Sequence, residues 1–130
     1  MIDRGQRVVF LAENHAGAAP WYRLAYEQVL QETPYAFKKV AQLTDPADLP
    51  ASCKANRGPA DAPLFLVNHW ITTDPLPRPS DAAKVNAYRP LLRRARECRR
   101  LRDKLPNFVA VNFYREGDLF RVVDTLNGVR

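Results

Sequence analysis

Asn107-Phe-Val-Ala-Val-Asn-Phe-Tyr-Arg-Glu-Gly-Asp-Leu-Phe120 is the stretch from which the architecture of this chain can be worked out. An apolar run over residues 108–111 meets a polar residue, Asn112, and then the aromatic pair Phe113 and Tyr114. Arg115-Glu116-Gly117 supplies a turn. Leu119, Val122, Val123 and Leu126 then recur at i, i+3, i+4 and i+7, the spacing of one helix face. The order is strand, turn, helix, with the polar and aromatic residues at the strand's carboxyl end, where ligands sit in α/β folds.

The same design recurs upstream. Residues 7–12 form a continuous apolar run, the pattern of a parallel strand covered on both faces. It ends in Glu13-Asn14-His15, followed by a small-residue loop over residues 16–19. Pro20 suits a first helical position, and Trp21, Leu24, Ala25 and Val29 give a helical face that Pro34 stops. Tyr35-Ala36-Phe37 reads as a short strand. Residues 44–63 lack periodicity and form a long loop containing Cys53; long loops in compact domains are often functional. Residues 64–67 are the second clear buried strand, ending in Asn68-His69-Trp70. Ser80 reads as an N-cap with Asp81 in the first turn. Val85, Tyr88, Leu92 and Ala95 follow a helical stripe, which Pro90 is expected to kink or split. The second part of that helix carries Arg93, Arg94, Arg96, Arg99, Arg100 and Arg102. Alternating elements of this kind predict an α/β fold with a parallel sheet.

The 130 residues allow one modest domain. A net charge of +6 suits anionic partners, whether phosphates, anionic lipid or nucleic acid, without choosing among them. No apolar run approaches the roughly 18 residues of a membrane-spanning helix, and the N-terminus lacks the apolar core of a signal peptide. The chain opens almost directly on a strand pattern, as a fragment would. Two cysteines, Cys53 and Cys98, and two histidines, His15 and His69, stand at scattered positions and make a weak zinc signal. The cysteines either pair, which implies an oxidising compartment, or are both free.

Five pieces, in order, resemble one family: Gly5-Gln-Arg-Val-Val-Phe-Leu-Ala-Glu13, Pro20-Trp-Tyr22, Asn56-Arg-Gly-Pro59, Ala62-Pro-Leu-Phe-Leu-Val-Asn-His-Trp70, and Leu105-Pro-Asn-Phe-Val-Ala-Val-Asn-Phe-Tyr114 with Gly117-Asp-Leu119. Together they resemble the bacterial phosphatidylinositol-specific phospholipase C X-domain-like proteins, which are phosphodiesterases with a TIM-type barrel. The match spans nearly the whole chain but only the second half of that barrel. The resemblance implies the C-terminal half of a TIM-type (β/α) barrel, with about four parallel strands and flanking helices. Residues 7–12 would be barrel strand five, the Tyr35 segment strand six, residues 64–67 strand seven and residues 108–111 strand eight. An eight-stranded barrel needs about 250 residues.

The family cleaves a phosphodiester in a phosphoinositide-like lipid with two histidines as general base and acid, since both proton transfers run near neutral pH. Those histidines belong to the first half of the barrel, so the resemblance implies a chain that is inactive alone. Relatives often carry aspartate where this chain has Asn112; asparagine keeps a hydrogen bond and loses the charge. The candidate catalytic positions are His69 and Asn112, and the candidate substrate-binding positions are Glu13, Asn68, Trp70 and Tyr114. His15 and His69 both follow strands, so a local acid/base pair competes with ordinary hydrogen-bonding histidines. Glu13 is expected either to bind a sugar hydroxyl or an ion, or to pair with a loop arginine. No metal-ligand set is present. No cofactor is indicated, and a divalent cation such as calcium is an option that no residue pattern demands.

Because such relatives are commonly exported, the resemblance favours a Cys53–Cys98 disulfide and a secreted or periplasmic parent protein. The expected partners are a phosphodiester or lipid headgroup and either the missing N-terminal half-barrel or a second copy of the chain. Two non-enzymatic alternatives stand beside the enzyme fragment. One is a half-barrel that self-associates to cover its open edges. The other is a basic module that uses the arginine-rich helix on anionic lipid or, less favoured, nucleic acid.

Overall fold

The computed structural model of the chain describes residues 2–5, 7–15, 17–18 and 21–129. It is an α/β structure in which every strand pairing is parallel. After a short turn at Ile2–Arg4 come β1 (Phe10–Ala12), β2 (Tyr22–Leu24) and β3 (Leu30–Glu32). Two four-residue helices follow, α1 (Ala41–Thr44) and α2 (Leu49–Ser52), then β4 (Leu64–His69). Next are α3 (Pro79–Val85), α4 (Tyr88–Arg102), β5 (Phe108–Val111) and α5 (Leu119–Leu126). The strands form two small sheets, β1–β2 and β3–β4–β5.

The larger sheet is centred on β4. Its register sets Glu32 beside Leu66, Asn68 beside Ala110 and His69 beside Val111. Side chains alternate across a strand, so Phe65, Val67 and His69 share one face and Leu64, Leu66 and Asn68 the other. The first face is fully buried, with Phe65 and Val67 packed on Cys53, the residue after α2, and on Cys98 of α4. On the second face, Leu64, Leu66 and Ala110 are half-buried and Phe108 is exposed. Two further clusters complete the core. Phe37, Leu43, Ile71 and Val85 join the loops to α1 and α3, and Leu91, Leu92 and Val122 join α4 to α5.

The helix pattern at 119–126 is realised as expected, with Val122 buried and Leu119 and Leu126 packed beside it. The expected split of the 80–102 helix is present but lies at Asn86–Ala87, three to four residues before Pro90, which falls in the first turn of α4 where a missing N–H costs nothing. Ser80 is not the cap of α3. Arg78 holds that position and Pro79 begins the helix.

Three expectations need correction. The helix read from Trp21, Leu24, Ala25 and Val29 is instead β2, a single wide turn at Ala25–Val29, and β3. The helical spacing caught the buried pair Leu24 and Ala25, but Trp21 is exposed and stacks edge-on against Phe10. The strand is at Leu30–Glu32 rather than at Tyr35–Phe37. Its two polar residues hid it, and both are fully satisfied where they lie; Gln31 donates to the carbonyls of Ala60 and Ala62. Phe37 instead packs in the core, its carbonyl accepting from the Thr72 amide. Finally, residues 7–12 are not a buried strand: only Phe10–Ala12 pairs, and Val8, Val9, Phe10 and Leu11 are all exposed. The long loop at 44–63 also contains a helical turn, α2. The expected helix start at Pro20 and the loop at 16 and 19 lie outside the described residues.

Candidate functional site

The carboxyl ends of β3 and β4 meet at one charged residue that the sequence did not single out, Glu32, to which Arg57 also links the residue after β1. Glu32 is the last residue of β3 and is 1% exposed. Its carboxylate accepts four hydrogen bonds. Arg57 Nε (2.6 Å) and Asn56 Nδ2 (2.8 Å) reach Oε1, while Asn68 Nδ2 (3.0 Å) and the Tyr26 hydroxyl (3.0 Å) reach Oε2. Burial alone would raise the pKa of this carboxyl. The bonds from Arg57, Asn68, Tyr26 and Asn56 outweigh burial and hold it below the usual carboxylate range. Burial, together with donation to the Glu32 carboxylate, pushes the Tyr26 hydroxyl up to about 12, so Tyr26 remains a donor.

Arg57 comes from the long loop, and a glycine is the reason it reaches. Gly58 has φ +88°, and a Cβ there would lie 1.9 Å from the Leu30 carbonyl oxygen. Only glycine lets the loop run this close to β3. The approach is fastened by backbone bonds from Glu32 N to Arg57 O (3.0 Å) and from Asn56 N to Glu32 O (3.1 Å). The Arg57 guanidinium also pairs with Glu13, the residue after β1, and lies 3.8 Å from the centre of the Tyr26 ring. One cation therefore bridges a buried and an exposed carboxylate, and the cluster Glu13, Glu32 and Arg57 carries a net charge of −1. Such an arrangement suits hydroxyl-rich ligands better than free anions.

A second network lies behind β4. Arg94 of α4 is fully buried and, among the described residues, has no carboxylate partner. Its guanidinium donates to Ser52 Oγ (2.9 Å), the Ser52 carbonyl (2.8 Å), the Asn68 carbonyl (2.8 Å) and His69 Nδ1 (3.0 Å). Four neutral acceptors replace a counter-ion, and the Phe37 ring lies 5.1 Å away. Burial lowers the Arg94 pKa to about 9, which leaves it charged at neutral pH. Nearby, the sulfurs of Cys53 and Cys98 are bonded, tying the residue after α2 to α4.

The predicted site residues scatter across these networks. Glu13 pairs with a loop arginine, the second of its two expected roles. Asn68 is buried, and its amide donates to Glu32 and to the Thr33 carbonyl, so it positions Glu32 with both donors in use. His69 is sealed: Nδ1 accepts from Arg94 and Nε2 donates to the Val85 carbonyl. Burial, reinforced by the Arg94 charge, lowers its pKa to about 3. A histidine neutral throughout the physiological range, with both nitrogens engaged, has no proton to exchange. His15 is exposed and lies 4.0 Å from Glu27. The two histidines share no partner, so no local acid/base pair forms.

Trp70, Asn112 and Phe113 line a narrow cleft together with His69, Arg78 and Asn86. The Asn86 amide donates to the Asn112 carbonyl (3.0 Å), which fixes the backbone at the end of β5. Tyr114 is exposed and packs edge-on against Phe120. Among the described residues no group of three or more acidic, histidine or cysteine side chains could hold a metal. Glu32 was missed because its strand was; Arg57 had a visible signal, an arginine beside glycine and proline in a long loop.

Parallel strands whose carboxyl ends converge on shared polar side chains define an α/β domain, the class of fold in which ligands bind at strand ends. The PI-PLC X family model, described as PI-PLC X 1, matches residues 1–127, and the chain belongs to that family as a phospholipase C-like domain. No curated protein and no solved structure matches it.

Proposed function

We propose that the chain is the C-terminal half of a phospholipase C-like barrel, supplying the substrate-binding side of a phosphodiesterase that acts on a phosphoinositide-like lipid. The observation that carries this reading is the Glu32–Arg57 cluster at the strand ends of a chain matched by the family over residues 1–127. In this role the exposed Glu13 carboxylate and the free edge of Arg57 offer bonding to headgroup hydroxyls. Trp70, lining the cleft with Asn112, and the exposed Tyr114 offer apolar contact to the substrate in this reading, and the family resemblance gives Asn112 the position of a carboxylate that orients a catalytic histidine. The chain by itself is not hydrolytic, because neither His15 nor His69 is placed to move a proton to or from substrate. The disulfide fits a parent protein that matures in an oxidising compartment.

The test is an assay of the purified chain on phosphatidylinositol vesicles. No diacylglycerol release is expected, and His69→Gln changes nothing. Turnover that His69→Gln abolishes would sink the reading. Binding of the chain to inositol should weaken about tenfold in Arg57→Gln; an unchanged affinity would remove the cluster from the site.

One feature favours a second reading, self-association. The outer edges of β1 and β5 pair with nothing in the described structure, and Val8, Val9 and Phe10 are 67%, 51% and 55% exposed beside one of them. Open strand edges and bare apolar surface are normally covered. Sedimentation as a monomer at micromolar concentration would eliminate it.

A further inference from the structure

The charge of this chain is concentrated in one place. Residues 88–104 carry eight basic and two acidic side chains, a net of +6, which equals the net charge of the whole sequence. The remainder, with twelve of each, is neutral. The buried side of α4 uses Leu91, Leu92, Ala95 and Cys98 for packing. Its exposed side carries Arg89, Arg93, Arg96 and Arg100 at intervals of four, three and four, which places them in one row.

This row is not a flat surface. Arg93, Arg96, Glu97 and Arg100 form one wall of a groove of about 440 Å³ whose other wall is Pro46 and Leu49. Two of the guanidiniums are held in place. Arg93 donates to the Thr44 carbonyl (3.1 Å), and Arg100 grips Glu97 with two bonds (3.0 and 2.6 Å). Glu97 cancels one charge and leaves the wall at +2. Arg96, between them, has neither an ion pair nor a hydrogen bond among the described residues. From Arg93 to Arg100 the helix rises about 10 Å, enough to span two phosphate groups.

We propose that this groove is an anion-binding site for a compact ligand bearing two phosphate groups, separate from the Glu32 cluster. Arg93 and Arg96 take one phosphate, and Arg100, whose Nε and Nη2 are held by Glu97, offers its remaining N–H groups to the other; guanidinium groups such as that of Arg96 suit paired donation to phosphate. A groove of this volume is sized for a small molecule. No aromatic side chain lines it to stack nucleic-acid bases, which sets a single-stranded polymer aside. A free diphosphate and a bisphosphorylated lipid headgroup present the same chemistry.

The experiment reads binding, so its outcome does not depend on the phosphodiesterase reading. Inorganic pyrophosphate is titrated calorimetrically into the native chain, into Arg93→Gln/Arg96→Gln/Arg100→Gln, and into Lys38→Gln/Lys39→Gln/Arg115→Gln. The last variant removes equal charge from exposed positions elsewhere. Affinity is expected to fall at least about tenfold in the first variant and to stay within about twofold in the second. It should weaken about threefold between about 50 and about 200 mM salt. If the triple variant loses its circular dichroism, Arg96→Gln alone should weaken binding about threefold. No measurable binding, equal losses in both triple variants, or tighter binding of a short oligonucleotide than of pyrophosphate would each overturn the proposal.

Vesicles of phosphatidylcholine with about 5% phosphatidylinositol bisphosphate separate the two sources. Capture by these vesicles that pyrophosphate reverses supports the groove with a lipid headgroup in it. Pyrophosphate binding without capture supports the groove with a soluble ligand.

Discussion

The two sheets start from similar sequence and end in different surroundings. Residues 7–12 and residues 64–67 are both apolar runs that end in polar side chains. In β4, Phe65 and Val67 have no exposed surface, because α2 and α4 lie over them and the Cys53–Cys98 bond holds those helices together. Around β1 the equivalent side chains are bare. An apolar run states that a strand needs cover, and only the neighbouring elements supply it. Here that cover comes from the segment between β3 and β5, whereas among the described residues Val8, Val9, Phe10 and Leu11 beside and in β1 stay exposed.

The largest expected effect comes from cutting a link that crosses between the sheets. Arg57 joins Glu13 beside β1 to Glu32 in β3. Glu32→Ala removes the buried carboxylate and leaves the guanidinium, Asn56, Asn68 and Tyr26 without their shared acceptor. A loss of about 3–5 kcal/mol in chemical denaturation is expected. A loss under about 1 kcal/mol would show that the cluster is not formed in solution.

The disulfide tests the covered sheet alone. Cys53 and Cys98 are 45 residues apart in sequence. Cys53→Ala/Cys98→Ala is expected to cost about 3–4 kcal/mol in the chain-entropy account. The loss should appear in protection of β4 amides from hydrogen exchange, with β1 unchanged. Equal loss at β1 and β4 would mean that the two sheets unfold as one unit.

How much of this was legible follows from which residues carry the signal. β5, α5 and the split helices could be read because their apolar spacing is periodic and their turns contain glycine or proline. β3 could not, because Gln31 and Glu32 are polar and their burial depends on Ala60, Ala62, Asn56 and Arg57, some 24–31 residues downstream. The site split in the same way. Glu13 and Asn68 were visible at strand ends, while the residues that link them were not: Glu32, which accepts from Asn68, lies in the unread strand, and Arg57, which joins Glu32 to Glu13, sits in a loop without periodicity. Arg94 read as one of many surface arginines, and only its helical phase, facing inward with Leu91 and Ala95, sets it apart.

Acid should also separate the regions, by a smaller amount per pH unit. His69 has an unfolded pKa of 6.5 and a folded one of about 3. The unfolded chain therefore binds the extra proton between these values, and stability is full above 6.5 and falls as pH drops below it. The slope should approach about 1.4 kcal/mol per pH unit. Glu32, depressed below 4.5, adds a further loss only below that value. Denaturation midpoints measured from pH 7 to pH 5 should thus decline through His69, and a flat profile would contradict its sealed environment.

The smallest effect is the most informative about β1. Val67→Thr puts a hydroxyl into the closed face of β4, where Cys53, Cys98 and Phe65 offer it no good partner, and should cost about 1–3 kcal/mol. Val9→Thr makes the same chemical change on an open surface and should stay within about 0.5 kcal/mol. The pair therefore measures cover directly, independent of any assumption about what lies beside β1. If Val9→Thr instead costs more than about 1 kcal/mol, and the cost grows with protein concentration, β1 is covered in solution by a second copy. A cost independent of concentration would place the cover within the chain, and the open face of β1–β2 would not exist.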